Sequence, residues 1–388
     1  MQRPHGLNHQ ELRIFHRALT RTHERKIHVE VLTLDGDVLT HLTPHIIDGQ
    51  VTVDATRTPE QPTRTLDMTF LDPTRSVHFE PDAPGDAPIH RKRIIKIVDA
   101  RRVPELEDWV ECEVFTGVVW DFDREGALCS LIADGMERQA MGAKWTPVTY
   151  QKHKKKTDAL KDLLGEAGEP NLAGIPDLKP RMPERMTVTR MDPILPRALR
   201  LADSMDRQLL WPGHGRPLLR QIPSRPVFTF TEAHLLSDVK IDRDIEGVHN
   251  TFVAVGAKAK GAKKRPYAVE SLPPSDPMSS DPERGIGRNG KKLRLVKREE
   301  NRQIKTREDA KARAKRMRDE GSGAQVTYSF DSLPIPHLDE KDLVRVVTDE
   351  GTFRLRMEKW TLPLGWEGAP PMTVGDIRRT TVRRRGGN

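Results

Sequence analysis

The sequence predicts an α+β chain: two small antiparallel β-barrel-like domains with an intervening α+β module. Three observations predict it. Short segments with period-2 alternation crowd residues 26–133. Apolar residues at helical spacing replace them at 157–167 and 192–205, and short strand-like segments return after 227 and again after 324. The length of 388 residues exceeds one simple core and fits two to four domains. Thirty prolines and 5% aromatic residues fit many short elements joined by turns.

Residues 1–24 read as a polar N-terminal arm, helical from Asn8 to Thr20. In Lys26–Leu34, Ile27, Val29 and Val31 share one face and His28 and Glu30 the other, the mark of a half-buried strand. Asp35-Gly36 is a tight-turn signal that returns the chain as Asp37–Leu42. Gln50–Ala55 and Thr63–Leu71 are further strands, the second with Leu66, Met68 and Phe70 opposite Asp67 and Thr69. After a proline- and aspartate-rich loop, Pro73–Pro88, come Lys92–Val98, Trp109–Trp120 and Ala127–Ala133, with a hairpin turn at Asp123–Gly126. About seven strands at this short regular spacing suit a barrel or sandwich, so 25–149 is assigned as the first β-barrel domain.

Residues 150–226 form the α+β module. Lys152–Lys156 is a basic surface run. Thr157 and Asp158 open a helix in which Leu160, Leu163, Leu164 and Ala167 share a face, and Gly168 stops it. Pro170–Pro183 is a linker and Met186–Arg190 a strand. Asp192-Pro193 starts a second helix, with Leu195, Ala198, Leu199, Ala202 and Met205 on one side and Pro196 delaying its start. Gln208–Trp211 and Arg216–Ile222 flank the turn Pro212-Gly213-His214-Gly215.

Val227–Thr231, Val239–Asp244 and Thr251–Val255 read as short strands, as do Ala324–Phe330, Leu343–Thr348 and Thr352–Thr361. The last three are too few for a barrel, so 227–256 plus 324–376 are assigned together as the second β-barrel domain. Between them, 257–302 lacks periodicity and reads as a long exposed excursion; a helix from Thr306, with Ala310, Ala314 and Met317 on its stripe, ends at Gly321. Segment 257–323 is thus a basic loop and helix, and 377–388 a basic C-terminal tail.

Charge is uneven. Residues 257–318 carry 20 Lys/Arg and 8 Asp/Glu, a balance of +12, so the rest of this +8 chain stands at −4. Basic tracts attract polyanions. The candidate contacts with a polyanion or a partner are Lys258, Lys260, Lys263, Lys264, Arg265, Lys291, Lys292 and Arg294. One aromatic, Tyr267, accompanies them, too few for a base-stacking platform.

Other chemistries find little support. No apolar run approaches the ~20 residues of a membrane helix, and Met1–Gln10 has no apolar region that would make a signal peptide. Cys112 and Cys129 read as buried thiols. Gly285, Gly287 and Gly290 match a dinucleotide-binding spacing, but Pro273–Arg284 before them is no strand. His5 and His9, and His41 and His45, lie four apart without the acidic neighbour of a zinc helix, and His214 reads as a turn residue. Glu111 and Glu113 read as the solvent side of a strand. No catalytic residue, metal site or cofactor is expected.

The order of these pieces resembles the hub proteins of tailed-phage tails, the baseplate hub or tail-tip family also found in contractile bacteriocins. The resemblance lies in Val-Glu-Val-Leu-Thr-Leu-Asp-Gly (29–36), Gly-Gln-Val-Thr-Val-Asp (49–54), Thr-Leu-Asp-Met-Thr-Phe-Leu-Asp (65–72), and Phe-Thr-Gly-Val-Val-Trp (115–120) followed by an acidic turn and Leu128–Asp134. It continues through Asp192–Ile222, Asp242–Gly256, the run from Leu333 to Val346, and Lys-Trp-Thr-Leu-Pro-Leu (359–364), covering most of 26–375. It implies a non-enzymatic homotrimeric ring. Two barrels per subunit would match a hexameric tail tube above to a threefold tip below, around a lumen for DNA. The implied partners are distal tail and tail-tube proteins and a tip, spike or fibre protein. The implied location is the virion tail, assembled in the host bacterial cytoplasm. Two departures stand out: an excursion longer than a compact hub needs, and no peptidase, lysozyme or fibre domain after residue 388. A polyanion-binding protein acting through 257–318 and the Arg378–Arg385 tail, and a peptidoglycan-degrading tail protein, are the alternatives.

Overall fold

A computed structural model describes residues 7–379 except 22–23, 34–35, 42–45, 59–60, 74–92, 107, 143–145, 245–248, 259–263, 275, 277, 288, 302–303, 322–324, 350 and 366–370. The chain forms two compact units. Unit 1 comprises 1–239 and 329–388, and unit 2 comprises 240–328.

Unit 1 opens with α1 (His9–Ala18), where Asn8 Oδ1 accepts from the Gln10 and Glu11 amides and Glu11 returns a carboxylate to the Asn8 amide. Seven strands follow: β1 (Arg25–Leu32), β2 (Val38–His41), β3 (Ile46–Asp54), β4 (Arg64–Leu71), β5 (Ile94–Val103), β6 (Asp108–Glu125) and β7 (Leu128–Gly135). Their alternation has the predicted cause. Leu66, Met68 and Phe70 are fully buried, while Asp67 faces solvent. The middle segment holds α2 (Glu137–Ala140), β8 (Val148–Tyr150), α3 (Lys156–Glu166), β9 (Met186–Val188), α4 (Ile194–Asp203), β10 (Gln208–Leu210), β11 (Leu218–Arg220) and β12 (Phe228–Phe230). Leu160, Leu163 and Leu164 of α3 meet Leu195, Ala198 and Ala202 of α4 in one core. Pro193 caps α4 directly, so Pro196 lies within the first helical turn and delays nothing.

Unit 2 contains β13 (Lys240–Asp244), β14 (Thr251–Val255), β15 (Tyr267–Ser271), β16 (Val296–Glu300) and α5 (Arg307–Gly321). The chain re-enters unit 1 through β17 (Gln325–Ser332) and ends in β18 (Leu343–Thr348), β19 (Gly351–Arg356), β20 (Lys359–Pro363) and β21 (Met372–Arg379).

The fold is mixed α and β with a dominant, largely antiparallel sheet. Its strands run in the order β12-β18-β19-β21-β20-β3-β4-β7-β6-β5-β1-β2. N-terminal and C-terminal strands therefore lie side by side. They are joined where Lys359–Pro363 pair antiparallel with Gln50–Asp54. The α+β class expected from sequence stands, with these strands in one large sheet. No closed barrel is formed among the described residues, because β3 gives its free edge to β20 and β2 and β12 stay at the ends of the path.

Buried ion pairs tie distant segments together. Arg64 on β4 meets Asp339 at 3.2 Å, and Arg220 on β11 meets Asp342 at 3.1 Å. Glu137 accepts from the Thr63 and Arg64 amides. The Pro212–Gly215 turn presses on β6, where a Cβ on Gly213 would collide with the Glu113 carbonyl.

Three further expectations change. The described part of the N-terminal arm, around α1, is packed on unit 1, since Phe15 is fully buried and His16 packs on His337 and Phe228. Thr251–Val255 pairs with β15 and β16 rather than with the C-terminal strands, and 257–302 contributes both of those strands. Two exposed edge strands need no continuous apolar run, which is why the segment read as an excursion. Arg378 and Arg379 end β21 beside Arg356 and Leu355, so they belong to the sheet and not to a tail; Arg383, Arg384 and Arg385 lie outside the described residues.

Candidate functional site

Six of the eight basic residues singled out from sequence are described; Lys260 and Lys263 lie outside the described residues. All six belong to unit 2, whose organising strand is β14. Strand β15 pairs antiparallel with it and β16 pairs parallel, so the two flanking strands begin at opposite ends of β14. Lys264 and Arg265 precede β15 and sit near Val255, and Lys258 follows Gly256 at that same end. Lys291, Lys292 and Arg294 precede β16 and sit near Thr251. The span between the ends of a five-residue strand is about 13 Å. Residues that look like one basic tract thus form two separate groups.

Each group has a local scaffold. Asn250, fully buried, donates Nδ2 to the Leu293 carbonyl at 2.8 Å and accepts from the Leu295 amide at 2.9 Å, which fixes the Lys291–Arg294 strand entry. At the other end, Arg265 and Arg298 converge on Glu300, at 3.5 and 2.5 Å. Arg298 had no sequence signal beyond the Val296–Glu300 run, whose importance only the pairing with β14 shows.

Helix α5 covers one side of this sheet. Thr306 and Asp309 form its capping box, and Ala310, Ala314 and Met317 bury against Phe252, Ala254 and Ala268. Two ion pairs hold it down: Arg313 to Glu299 as a bidentate pair at 2.6 to 3.1 Å, and Arg318 to Glu270 at 2.8 Å. On the other side, the flanking-strand residues Tyr267, Val269 and Val296 are exposed, while Thr251 and Val255 of the central strand are buried. A shallow depression there is lined by Val253, Val255, Lys264, Arg265, Tyr267, Val296 and Arg298. Such a surface can hold an apolar segment with negative charge at its rim.

The remaining candidates fall elsewhere. Gly285 and Gly287 pack tightly on Ser279 and Pro282 in a loop folded around Asp281, whose carboxylate accepts from the Glu283 and Arg284 amides and is thereby held below the usual range. Among the described residues no strand leads directly into this loop, and the next element after it is the strand β16 and not a helix, so it lacks the context of a phosphate cradle. Cys112 and Cys129 are buried, and burial pushes the Cys112 thiol upward, away from thiolate chemistry. Glu113 shares Lys96 with Glu30, at 3.1 and 3.5 Å. His9 starts α1 and His41 is exposed on β2; their partners His5 and His45 lie outside the described residues. No cluster of three metal-ligating side chains occurs among the described residues, and no described helix is long and apolar enough to cross a membrane.

A histidine cluster that sequence reading missed lies in unit 1. His16 stacks on His337 with ring centroids 4.7 Å apart and Nε2 atoms 3.0 Å apart, while His16 and His234 both meet Phe228 edge-on. One ring must donate and the other accept, so the pair is held with a neutral acceptor. Burial, then the charge of His234, lowers His16 to about 4. No spacing rule could reveal a contact between residues 321 positions apart.

No family model matches the chain, and no curated protein matches it. Solved structures do. The 43 kDa tail protein of prophage MuSo2 from Shewanella oneidensis matches with a TM-score of 0.60 at 12% identity, over 92% of this chain and 99% of that one. The tail protein from Neisseria meningitidis MC58 gives 0.60 at 12% identity, over 91% and 97%. A prophage tail protein from Listeria monocytogenes EGD-e gives 0.52 at 9% identity, over 92% and 95%. The resemblance to tailed-phage tail proteins read from the order of the elements therefore holds at the level of fold, over about nine-tenths of the chain.

Proposed function

We propose that this chain is a structural subunit of a phage tail tip or baseplate hub and not an enzyme. Three copies would close a ring that offers a near-sixfold surface to the tail tube and a threefold surface to the tip, around a lumen for DNA. The observation that carries this reading is the extent of the fold match, which takes in nearly the whole of this chain and of two tail proteins, one of them from a prophage.

The sheet supports it. On one side of the β3–β20 junction the order is β3-β4-β7-β6, and on the other β20-β21-β19-β18, antiparallel throughout. Two similar four-strand sectors per chain are what a ring of three needs to look six-sided. Buried pairs such as Arg64–Asp339 stiffen the link between sectors. The division of labour is 25–149 with 329–379 for the ring wall, 150–226 as its buttress, and 240–328 as an appended unit reaching a neighbour. The separation of the basic residues into two groups weighs against a polyanion grip as the main role. The working partners are tail-tube and tip proteins in the virion, with assembly in the host bacterial cytoplasm.

Sedimentation equilibrium of the purified chain tests it. A mass near three times 44.1 kDa supports the ring, and a monomer at high micromolar concentration contradicts it. Cell-wall zymography is expected to leave a blank lane; a clearing band would move the reading to a peptidoglycan hydrolase.

A further inference from the structure

We propose that the open face of the unit 2 sheet docks on the outer face of β4, β7 and β6 in a second copy of this chain. The proposal rests on the reading that copies of this chain assemble, and it names the surfaces they use.

The first face is a three-by-three grid. Hydrogen-bond register sets Tyr267 beside Val255 and Glu300, Val269 beside Val253 and Arg298, and Ser271 beside Thr251 and Val296. Helix α5 occupies the opposite side, so these side chains point away from it, those of β15 and β16 reaching the surface and Thr251 and Val255 of the central strand staying buried. Tyr267 is 60% exposed and Val269 and Val296 are each 49% exposed. Among the described residues, Lys264, Arg265 and Arg298 stand around them against the carboxylate Glu300, which leaves an excess of two positive charges.

The second face is a grid of the same size and opposite sign. Register sets Leu71 beside Leu128 and Glu125, Thr69 beside Ser130 and Asp123, and Asp67 beside Ile132 and Asp121. Leu71, Leu128 and Ile132 are 43%, 38% and 42% exposed, and Trp120, at the β6 bulge, is 45% exposed. Asp67, Asp121, Asp123 and Glu125 make no ion pair among the described residues.

Apolar patches rimmed by charge mark interaction sites. Here two of them share a width of three strands, about 10 Å, so their rows can be set one against the other. Opposite charge steers the right pair together and discourages like faces from pairing. The two patches are different surfaces, so each copy offers one of each. That is a heterologous contact, which closes into a ring when the rotation permits.

Charge reversal tests it. Sedimentation velocity would compare wild type with Lys264→Glu/Arg265→Glu, with Asp121→Lys/Asp123→Lys, and with all four together. Each pair is expected to weaken self-association by about tenfold or more. The fourfold variant is expected to recover to within about threefold of wild type, since opposite charges again face each other. Tyr267→Ser, which changes no charge, is expected to weaken association with an unchanged thermal midpoint. Association unaffected by either pair, or lost without recovery in the fourfold variant, overturns the proposal while leaving a ring intact. A labelled DNA that binds wild type but not Lys264→Glu/Arg265→Glu, with mass unchanged, assigns these cations to a polyanion and overturns it as well. A wild-type monomer removes both the proposal and the ring reading.

Discussion

Acidification is expected to loosen the grip of α1 on unit 1 through His16. The folded environment lowers this histidine from 6.5 to about 4, chiefly by burial against Phe228 and His337. A base whose folded value is depressed binds fewer protons folded than unfolded, so its contribution is complete above pH 6.5 and drains away as pH falls toward 4. At pH 5 the loss amounts to up to about 2 kcal/mol, and below pH 4 to about 3 kcal/mol. His337, buried and also held well below its ordinary value, pushes the same way. Urea unfolding of wild type and His16→Gln at pH 7, 6 and 5 would read this directly. Glutamine keeps a hydrogen-bonding group beside His337 and cannot titrate. Wild type is expected to lose about 2 kcal/mol more than the variant between pH 7 and 5. Parallel losses in the two proteins would refute the reasoning.

Three more substitutions follow from the same geometry. Glu340 is buried and raised to about 7, so its folded form resists ionisation and its cost grows as pH rises from 4.5 through 7; Glu340→Gln is expected to stabilise by about 3 kcal/mol at pH 8 and by under about 1 kcal/mol at pH 5, read as thermal midpoints. Gly213→Ala is expected to cost more than about 3 kcal/mol, because the turn cannot back away from the Glu113 carbonyl without lifting off β6; an unchanged denaturation midpoint would contradict it. Arg64→Ala is expected to cost about 3 kcal/mol by leaving the buried Asp339 only the longer contact to Arg220 at 4.0 Å, whereas Arg64→Met with Asp339→Leu recovers most of that loss; equal stabilities for the single and double variants would show that the pair does not matter.

Strands such as β4 were legible because they show one face to water. Leu66, Met68 and Phe70 against Asp67 and Thr69 is an alternation that only a half-buried strand explains. Helices α3 and α4 were legible because their leucines and alanines repeat at helical spacing. Two things stayed hidden. Partner choice was one, since Thr251–Val255 reads equally well beside C-terminal strands or beside β15 and β16, and the pairing is a tertiary fact. Strands β15 and β16 were the other, because an edge strand with one side under a helix and the other in solvent carries polar residues on both. The basic site was legible in composition only. Lys264 and Lys291 belong to one tract in sequence and to opposite ends of β14 in space, and the acidic grid that matches them is scattered over 67–125.

Electron cryo-microscopy of the purified assembly tests the central claim most directly. Class averages down the particle axis should show three chains closed around an open lumen, with β3–β4–β7–β6 and β20–β21–β19–β18 alternating as six similar sectors. Particles with twofold symmetry, or a three-chain particle in which those sectors do not alternate around a central opening, would contradict it.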